Sequence, residues 1–495
     1  LLLLTALVAR ETLLDRNLSL LDTGFSQLVA ALEKVVFVRV GEIPLIILWI
    51  IVCGLFFTLR LGFINLRGFK HAFAVLLGKY DNPEETGEVS HFQAMATALS
   101  ATVGLGNIAG VAIALELGGP GVVFWMTLAG LLGMSAKFVE CTLGQKYRIV
   151  RPDGTILGGP MYYLTRGLAE LGRPQFGKGL AISYALLCAG STVGVGNMFQ
   201  ANQSFAAIAA VIPAAARWSW LYGLVLAAIA GLVIIGGISR IGTVAGNLVP
   251  AMLLLYAAMC LWIVFHHLAD LPPVCTTIIR EAFFPKAIGG GLVGVLACGI
   301  QRSVFSNGAG AGTAAIAHAA ARTQEPIREG ILASLEPFID TIVICNLTAI
   351  AIVVTGVEDG SSAHIGGVEL TAAAFRASIS WFPAILALVV VLFAFSTIIA
   401  SSYYGEQCWR YLFGDRTTIV FKVLFLLGLF VGSVTNLGAV LNFSDMMMVL
   451  MVVPNLLGCF LLSNSVARDL DCYWTRLKQD RGQLSASSNP IGKIS

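Results

Sequence analysis

The chain has 495 residues, of which 57% are apolar and only 12% charged, with a mean hydropathy of +0.83. Its length alone suggests about three soluble domains, but soluble domains carry about 25% charged residues, so the composition is that of a membrane protein. The 31 Lys and Arg against 28 Asp and Glu give +3, which excludes the dense basic surface of a nucleic-acid binder. The ten cysteines stand singly, without the close pairs of a zinc, redox or disulfide framework.

In chain order, Leu1–Val8 is apolar but has no basic flank and no initiating Met, so no complete signal peptide is visible in it. Residues 1–42 are expected as an extracytoplasmic segment. A membrane-crossing helix needs about 20 mostly apolar residues, because only a helix satisfies its backbone polar groups within its own segment. Eleven such spans are predicted: 43–60, 91–117, 120–146, 180–211, 217–237, 241–268, 288–316, 328–356, 383–404, 418–436 and 441–463. Residues 464–495 are expected as a cytoplasmic tail, flexible from the Ser-, Asn- and Gly-rich stretch that begins at Gln479.

Positively charged loops stay in the cytoplasm. With the N-terminus outside, 21 of the 31 Lys and Arg fall on the inner side and 8 on the outer. This predicts N-out and C-in. The two left deep within spans are Lys137 and Arg302. Lys137 and Glu140 lie three apart on one helical face and are expected to pair. Arg302 would cost about 2.5–3.5 kcal/mol alone at mid-bilayer, so it is expected to be paired or bonded to free carbonyls, as a structural or gating charge.

Two spans break the pattern of Leu, Val, Ile and Ala. The second holds Ser100-Ala101-Thr102-Val103-Gly104-Leu105-Gly106-Asn107-Ile108-Ala109-Gly110, and the seventh has eight glycines between Lys286 and Gly312. Each glycine costs a continuous helix about 0.5–1 kcal/mol relative to Ala. Unwound backbone at membrane depth is tolerated where it lines a cavity, where free carbonyls bind a cation and half-helix N-termini face an anionic group. Four spans follow each break, so the fold class predicted is an all-α membrane protein with one accessory helix (43–60) and a five-plus-five inverted repeat, 91–268 and 288–463. The substrate site falls at the repeat interface.

The Thr102–Asn107 stretch offers the neutral oxygens that hard cations such as sodium prefer. Gly104 to Ala109 also matches a dinucleotide fingerprint, which the absence of a preceding strand rejects; close helix packing remains the alternative. The similar Thr192–Asn197 stretch reads as packing. Gln200, Asn202 and Gln203 are amides that are costly to bury without partners, and at least one should face a polar cavity. Ser396, Thr397, Ser401 and Ser402 either bond back to their own helix or line the same cavity. Glu336 and Asp340, one turn apart, fit either a proton relay or packing against a basic neighbour, and the six histidines look scattered. Metalloprotease, P-loop and nucleophile-elbow motifs are absent, so neither an enzyme nor an ATP-driven pump is indicated.

From about Trp49 to Leu470 the chain resembles the alanine or glycine:cation symporter family, also called the sodium:alanine symporter family. The resemblance rests on Phe92-Gln93-Ala94, Ala98-Leu99-Ser100-Ala101-Thr102-Val103-Gly104, Gly106-Asn107-Ile108-Ala109-Gly110-Val111, Gly118-Gly119-Pro120-Gly121, Lys137-Phe138, Gln200-Ala201-Asn202, Phe305-Ser306-Asn307, Ile316-Ala317-His318-Ala319-Ala320 and Ser402-Tyr403-Tyr404-Gly405-Glu406. It implies the inverted-repeat architecture of the bacterial leucine transporter, without an organic cofactor. The function implied is import across the inner (plasma) membrane of a small neutral amino acid of the alanine/glycine class with sodium. A proton-coupled symporter and a non-transporting, amino-acid-sensing relative are the alternatives.

By similarity to that fold, one sodium site would use the Thr102 carbonyl and Asn107 amide. A second would use the carbonyls of Ser100 and Val103 with the hydroxyls of Ser396 and Thr397. The substrate carboxylate would meet the Gly104-Leu105-Gly106 backbone, with Asn307 and Gln200 at the amino group and pocket wall. The chain departs from the family where Ser401 replaces a common Trp, Gly308 a common Glu and Leu105 a frequent Thr. An indole buries about 150–250 Å², so Ser401 implies room for a bulkier side chain.

Overall fold

The computed structural model describes residues 38–40, 43–285, 291–357, 367–434 and 437–487. The expectations for 1–37 and for the last eight residues lie outside them. The described residues are almost entirely helical, with two short β-hairpins at Arg39–Val40/Ile43–Pro44 and Ile149–Val150/Ile156–Leu157. Among the described residues eight helices are long and apolar enough to cross a membrane: Val122–Lys146, Pro174–Val211, Pro213–Ile234, Gly237–His266, Pro326–Val354, Phe382–Phe413, Asp415–Val434 and Met446–Gln479. A ninth candidate is the pair His91–Thr102 and Leu105–Gly118, bent by 55°. Leu45–Arg60 is apolar but only 16 residues long.

The bent pair starts where Ser90 caps it. The Ser90 hydroxyl accepts from the Gln93 N–H at 3.2 Å while the Gln93 side-chain oxygen, Oε1, accepts from the Ser90 N–H at 3.0 Å. The helix stops after Thr102, passes through Val103 and an extended Gly104 (φ −138°, ψ −148°), makes one 3₁₀ turn over Leu105–Asn107 and resumes at Ala109. The second glycine-rich segment also interrupts. Gly291–Asn307 is helical, the chain then turns through Gly308, Gly310 and Gly312 at φ +61°, +84° and +77°, and Thr313–Ala319 is helical again.

Two further helices widen into π turns. Gly194–Met198 interrupts the helix that runs to Val211, and Phe338–Cys345 interrupts the one that begins at Pro326. A π turn throws one backbone group out of register and frequently marks a functional site. The Thr192–Asn197 stretch therefore combines close packing with a bulge: a Cβ on Gly196 would lie 2.3 Å from the Ser401 hydroxyl, and the Asn197 amide reaches the Phe425 carbonyl at 2.5 Å.

The loops assigned to the inner side meet on one face. Arg148 donates to the carbonyls of Thr86, Ala319, Ala321 and Thr323, Arg151 pairs with Asp415, and Ile156 N–H donates to Glu88 at 2.8 Å. The last helix continues beyond residue 463 to Ser487, because its distal part has partners there: Asp469 takes Lys146, Tyr473 meets His71 at 2.6 Å, and Arg476 pairs with Glu325. Outside the spans, burial raises the Glu88 carboxyl above its ordinary range against the pull of the Ile156 N–H, and burial lowers the Arg148 guanidinium.

Candidate functional site

The two interruptions touch. A Cβ on Gly106 would stand 3.2 Å from Ser306 Cα, and one on Gly308 would stand 3.6 Å from the Thr102 methyl. Between them opens a cavity of about 510 Å³, counting its mouth, lined by Thr102, Gly106, Gln200, Ser306, Gly308 and Ser401 among others. Five elements supply these groups: both breaks, the π-bulged helix, and the helices that carry Ser401 and Met448. Phe305 closes one wall, edge-on to Phe199 with centroids 5.3 Å apart.

Asp340 ties the breaks together. Its buried carboxylate receives the Asn107 amide at 2.6 Å and the Ser306 hydroxyl at 2.6 Å, one from each interruption, and its neighbour Thr341 at 2.9 Å. The Asn107 side-chain oxygen, Oδ1, in turn accepts the Gly104 N–H at 3.1 Å. Asp340 sits in the π turn Phe338–Cys345, which has no signature in hydrophobic periodicity.

Near the other side of the first break, the Thr397 hydroxyl donates to the Ser100 carbonyl at 2.9 Å, and the Ser100 hydroxyl donates to the Ser396 carbonyl at 2.7 Å. Ser396 turns its own hydroxyl back to Phe393 O at 2.9 Å. Ser100, Ser396 and Thr397 are thus together, Asn107 faces Asp340, and Thr102 bonds back to Ala98 and lines the cavity beside Gly308. Gln200 bridges the Leu105 N–H, at 3.4 Å, to the Val195 carbonyl, at 3.1 Å. It is the amide of the predicted trio that lines the cavity. Leu105 is fully buried, and Asn307 points away, donating to Ser303 and Thr341 and lining a separate apolar cavity against the Leu45–Arg60 helix.

The buried charges form a second assembly. Lys137 Nζ lies 3.1 Å from Glu336 and 3.8 Å from Glu140. Glu140 accepts the Gly312 N–H at 3.0 Å and the Asn455 amide at 2.8 Å, and Asn455 also donates to the Gly310 carbonyl at 2.8 Å. Glu336 accepts from His318 at 2.7 Å, His318 reaches Glu329 at 2.5 Å, and Glu329 contacts His91. Two of the histidines that look scattered in sequence are therefore joined through one carboxylate. Arg302 lies over the Phe305 ring, 5.5 Å from its centroid.

The profile of the sodium:alanine symporter family matches residues 24–486. The chain belongs to the sodium:alanine symporter family. The sodium/alanine symporter AgcS of Methanococcus maripaludis is 38% identical over 435 residues, 87% of this chain and 94% of that one. The probable sodium/glutamine symporter GlnT of Bacillus subtilis is 33% identical over 450 residues, 90% of each chain. A crystal structure of MhsT in complex with L-phenylalanine superposes with a TM-score of 0.51 at 14% identity, covering 75% of this chain and 89% of that one, and so shares the fold. Family membership and the apolar helices make this a multi-pass membrane protein among sodium-coupled amino-acid symporters, which are transporters and not enzymes.

Proposed function

We propose that the chain imports a small neutral amino acid together with sodium by alternating access, through eleven crossings arranged as an accessory helix and a five-plus-five inverted repeat, N-terminus outside. The observation that carries this reading is the convergence of both unwound segments on one polar cavity and one buried carboxylate, Asp340. One sodium would sit among the Thr102 carbonyl, the Asn107 amide and Asp340. A second would take the carbonyls of Ser100 and Val103 with Thr397 and a rotated Ser396. The amino acid would lie against Gly104, Leu105 and Gly106, with Gln200 at the wall. Asn307 would act from behind the second break, where it accepts the Ala309 N–H at 2.8 Å.

Relatives of similar identity are named for alanine and for glutamine, cargoes of different size, so side-chain preference rests on the wall. Here that wall is Ser401 against Gly196, which leaves room for a residue bulkier than glycine. The driving force suffices: about 2.3 kcal/mol per charge per 100 mV and about 1.4 kcal/mol per tenfold gradient let one sodium at ~150 mV support roughly three to four decades of accumulation. The test is uptake of twenty labelled amino acids into proteoliposomes, with an inward sodium gradient and with choline in its place. Sodium-dependent accumulation of a neutral amino acid is expected; equal uptake under both conditions rejects the reading.

A further inference from the structure

The site above does not use the buried chain of ionisable groups that runs from the second break to the face where the inner loops gather. Its members are Glu140, Lys137, Glu336, His318, Glu329 and His91, all buried, and it ends at Asp81, 3.9 Å from His91 and 41% exposed. Acids and bases alternate along it. Both nitrogens of His318 face carboxylate oxygens, Nδ1 toward Glu329 and Nε2 toward Glu336. An ionised carboxylate only accepts, so each nitrogen must carry a proton, and the ring is an imidazolium. With His91 also protonated, three carboxylates balance three cations. Losing one proton would leave a lone pair against a carboxylate among fully buried side chains.

The other groups facing this clamp do not replace that proton. The Cys141 thiol lies within 4.8 Å of the His318 and Glu336 ligand atoms, but the adjacent cation is the Lys137 ammonium. The Tyr404 phenol faces Glu336, Arg148 acts on Glu329 from outside the span, and Arg328 and Asp81 act on His91. The clamp also joins four separate elements. His91 starts the first broken helix, His318 lies on the short helix after the second break, Glu329 and Glu336 belong to a third helix, and Lys137 belongs to a fourth.

We propose that His318, clamped between Glu329 and Glu336, is a proton-binding site that locks the cytoplasmic half of the transporter shut and is emptied through His91 and Asp81 when the cytoplasm is alkaline. This rests on the proposed function and its N-out orientation. The closed state holds the proton against two carboxylates, whereas an opened clamp exposes an imidazole that titrates near pH 6.5 like any solvated one. The closed state therefore binds more protons. By linkage, opening is favoured as internal pH rises above about 6.5, by up to about tenfold per pH unit for one released proton. The proton leaves to and returns from the same side, so none is carried with the substrate.

The test fixes external pH, sodium and substrate and varies the internal pH of proteoliposomes. Between internal pH 6.5 and 8.0, uptake by the native protein is expected to rise by about tenfold, while His318→Gln transports with a flat profile. A second reading on native protein needs no variant: alkylation of buried Cys141 by N-ethylmaleimide, normalised to exposed Cys472, rises over the same range. A pH-independent native rate, an unchanged Cys141/Cys472 ratio, a native-like profile in His318→Gln, or proton entry with the substrate seen by an internal pH dye each overturns the proposal. Absence of sodium-dependent accumulation at every internal pH instead rejects the transport reading, and the Cys141 measurement then judges the lock alone.

Discussion

The two interruptions bring backbone into the same cavity by different means. The second is made by conformation: Gly308, Gly310 and Gly312 all stand at positive φ, where an L side chain costs roughly 1–2 kcal/mol per residue, and Glu140 and Asn455 hold the turn by its N–H and C=O groups. In the first, no residue from Val103 to Ile108 has positive φ. There the chain is held by side chains: Asn107 bonds Gly104 within the break, while Gln200 and Thr397 from other helices bond Leu105 and Ser100. A break fixed by its own glycines is a rigid hinge. A break held by side chains of other elements changes when those elements move, which suits it to sense a bound ion.

The largest effect separating the two should come from Gly312→Ala. Its Cβ would lie 2.5 Å from the Pro160 ring and 2.7 Å from the Asn455 carbonyl oxygen, at φ +77°. Strain and collision act together, and a loss of more than about 3 kcal/mol is expected from mechanisms of this kind, measured as failure to recover monodisperse protein or a steep drop in Tm. Gly308→Ala tests the same conformation without the collision, since its nearest neighbours are at 3.6 Å or more. It should cost only about 1–2 kcal/mol. Equal damage from both would show that φ alone makes the second break.

Next in size is Asp340→Asn, which keeps the shape but removes the charge that both breaks share. The apparent affinity for sodium should fall by about tenfold or more, equivalent to about 1.4 kcal/mol or greater, with Tm changing far less. An unchanged sodium dependence would separate Asp340 from the cation. In the first break, Gly104→Ala would place a methyl 2.4 Å from the Thr397 hydroxyl. Adding Thr397→Ala should restore thermal stability while leaving the sodium response impaired, because it relieves the collision but also removes a proposed ligand; recovery of both would make the contact packing alone.

This difference also explains what could be read from the sequence. Glycine density marks both interruptions, and length and apolarity mark the long helices. Lys137 and Glu140 are legible as a pair because they lie three apart on one face. Lys137 to Glu336, His91 to Glu329 and Glu140 to Asn455 are separated by 199, 238 and 315 positions, and no local periodicity records such contacts. The π turns at Gly194–Met198 and Phe338–Cys345 are equally silent. Their side chains meet partners far away in sequence, as the Asn197 amide meets Phe425 O, and those neighbours are known only once the helices have packed.

The smallest expected effect concerns size selection at the side-chain-held wall. Ser401 shares its helix with Thr397 one turn earlier and meets the π turn at Gly196, so it links the cavity wall to the helix that bonds the first break. Ser401→Trp would fill that space with an indole, whose burial is worth about 150–250 Å² of surface. It should shift preference toward glycine and alanine by up to about tenfold, the lower end of what one methylene controls in a hydrophobic pocket, without altering which ion drives uptake. Competition against a labelled substrate reads this directly. If larger neutral amino acids compete as well in the Trp variant as in the native protein, the side chain lies elsewhere, and Met448, Met451 and Phe305, which line the same cavity, become the wall to test. If the sodium dependence changes along with the selectivity, the π turn transmits from the pocket to Thr397, and the first break is the more responsive of the two.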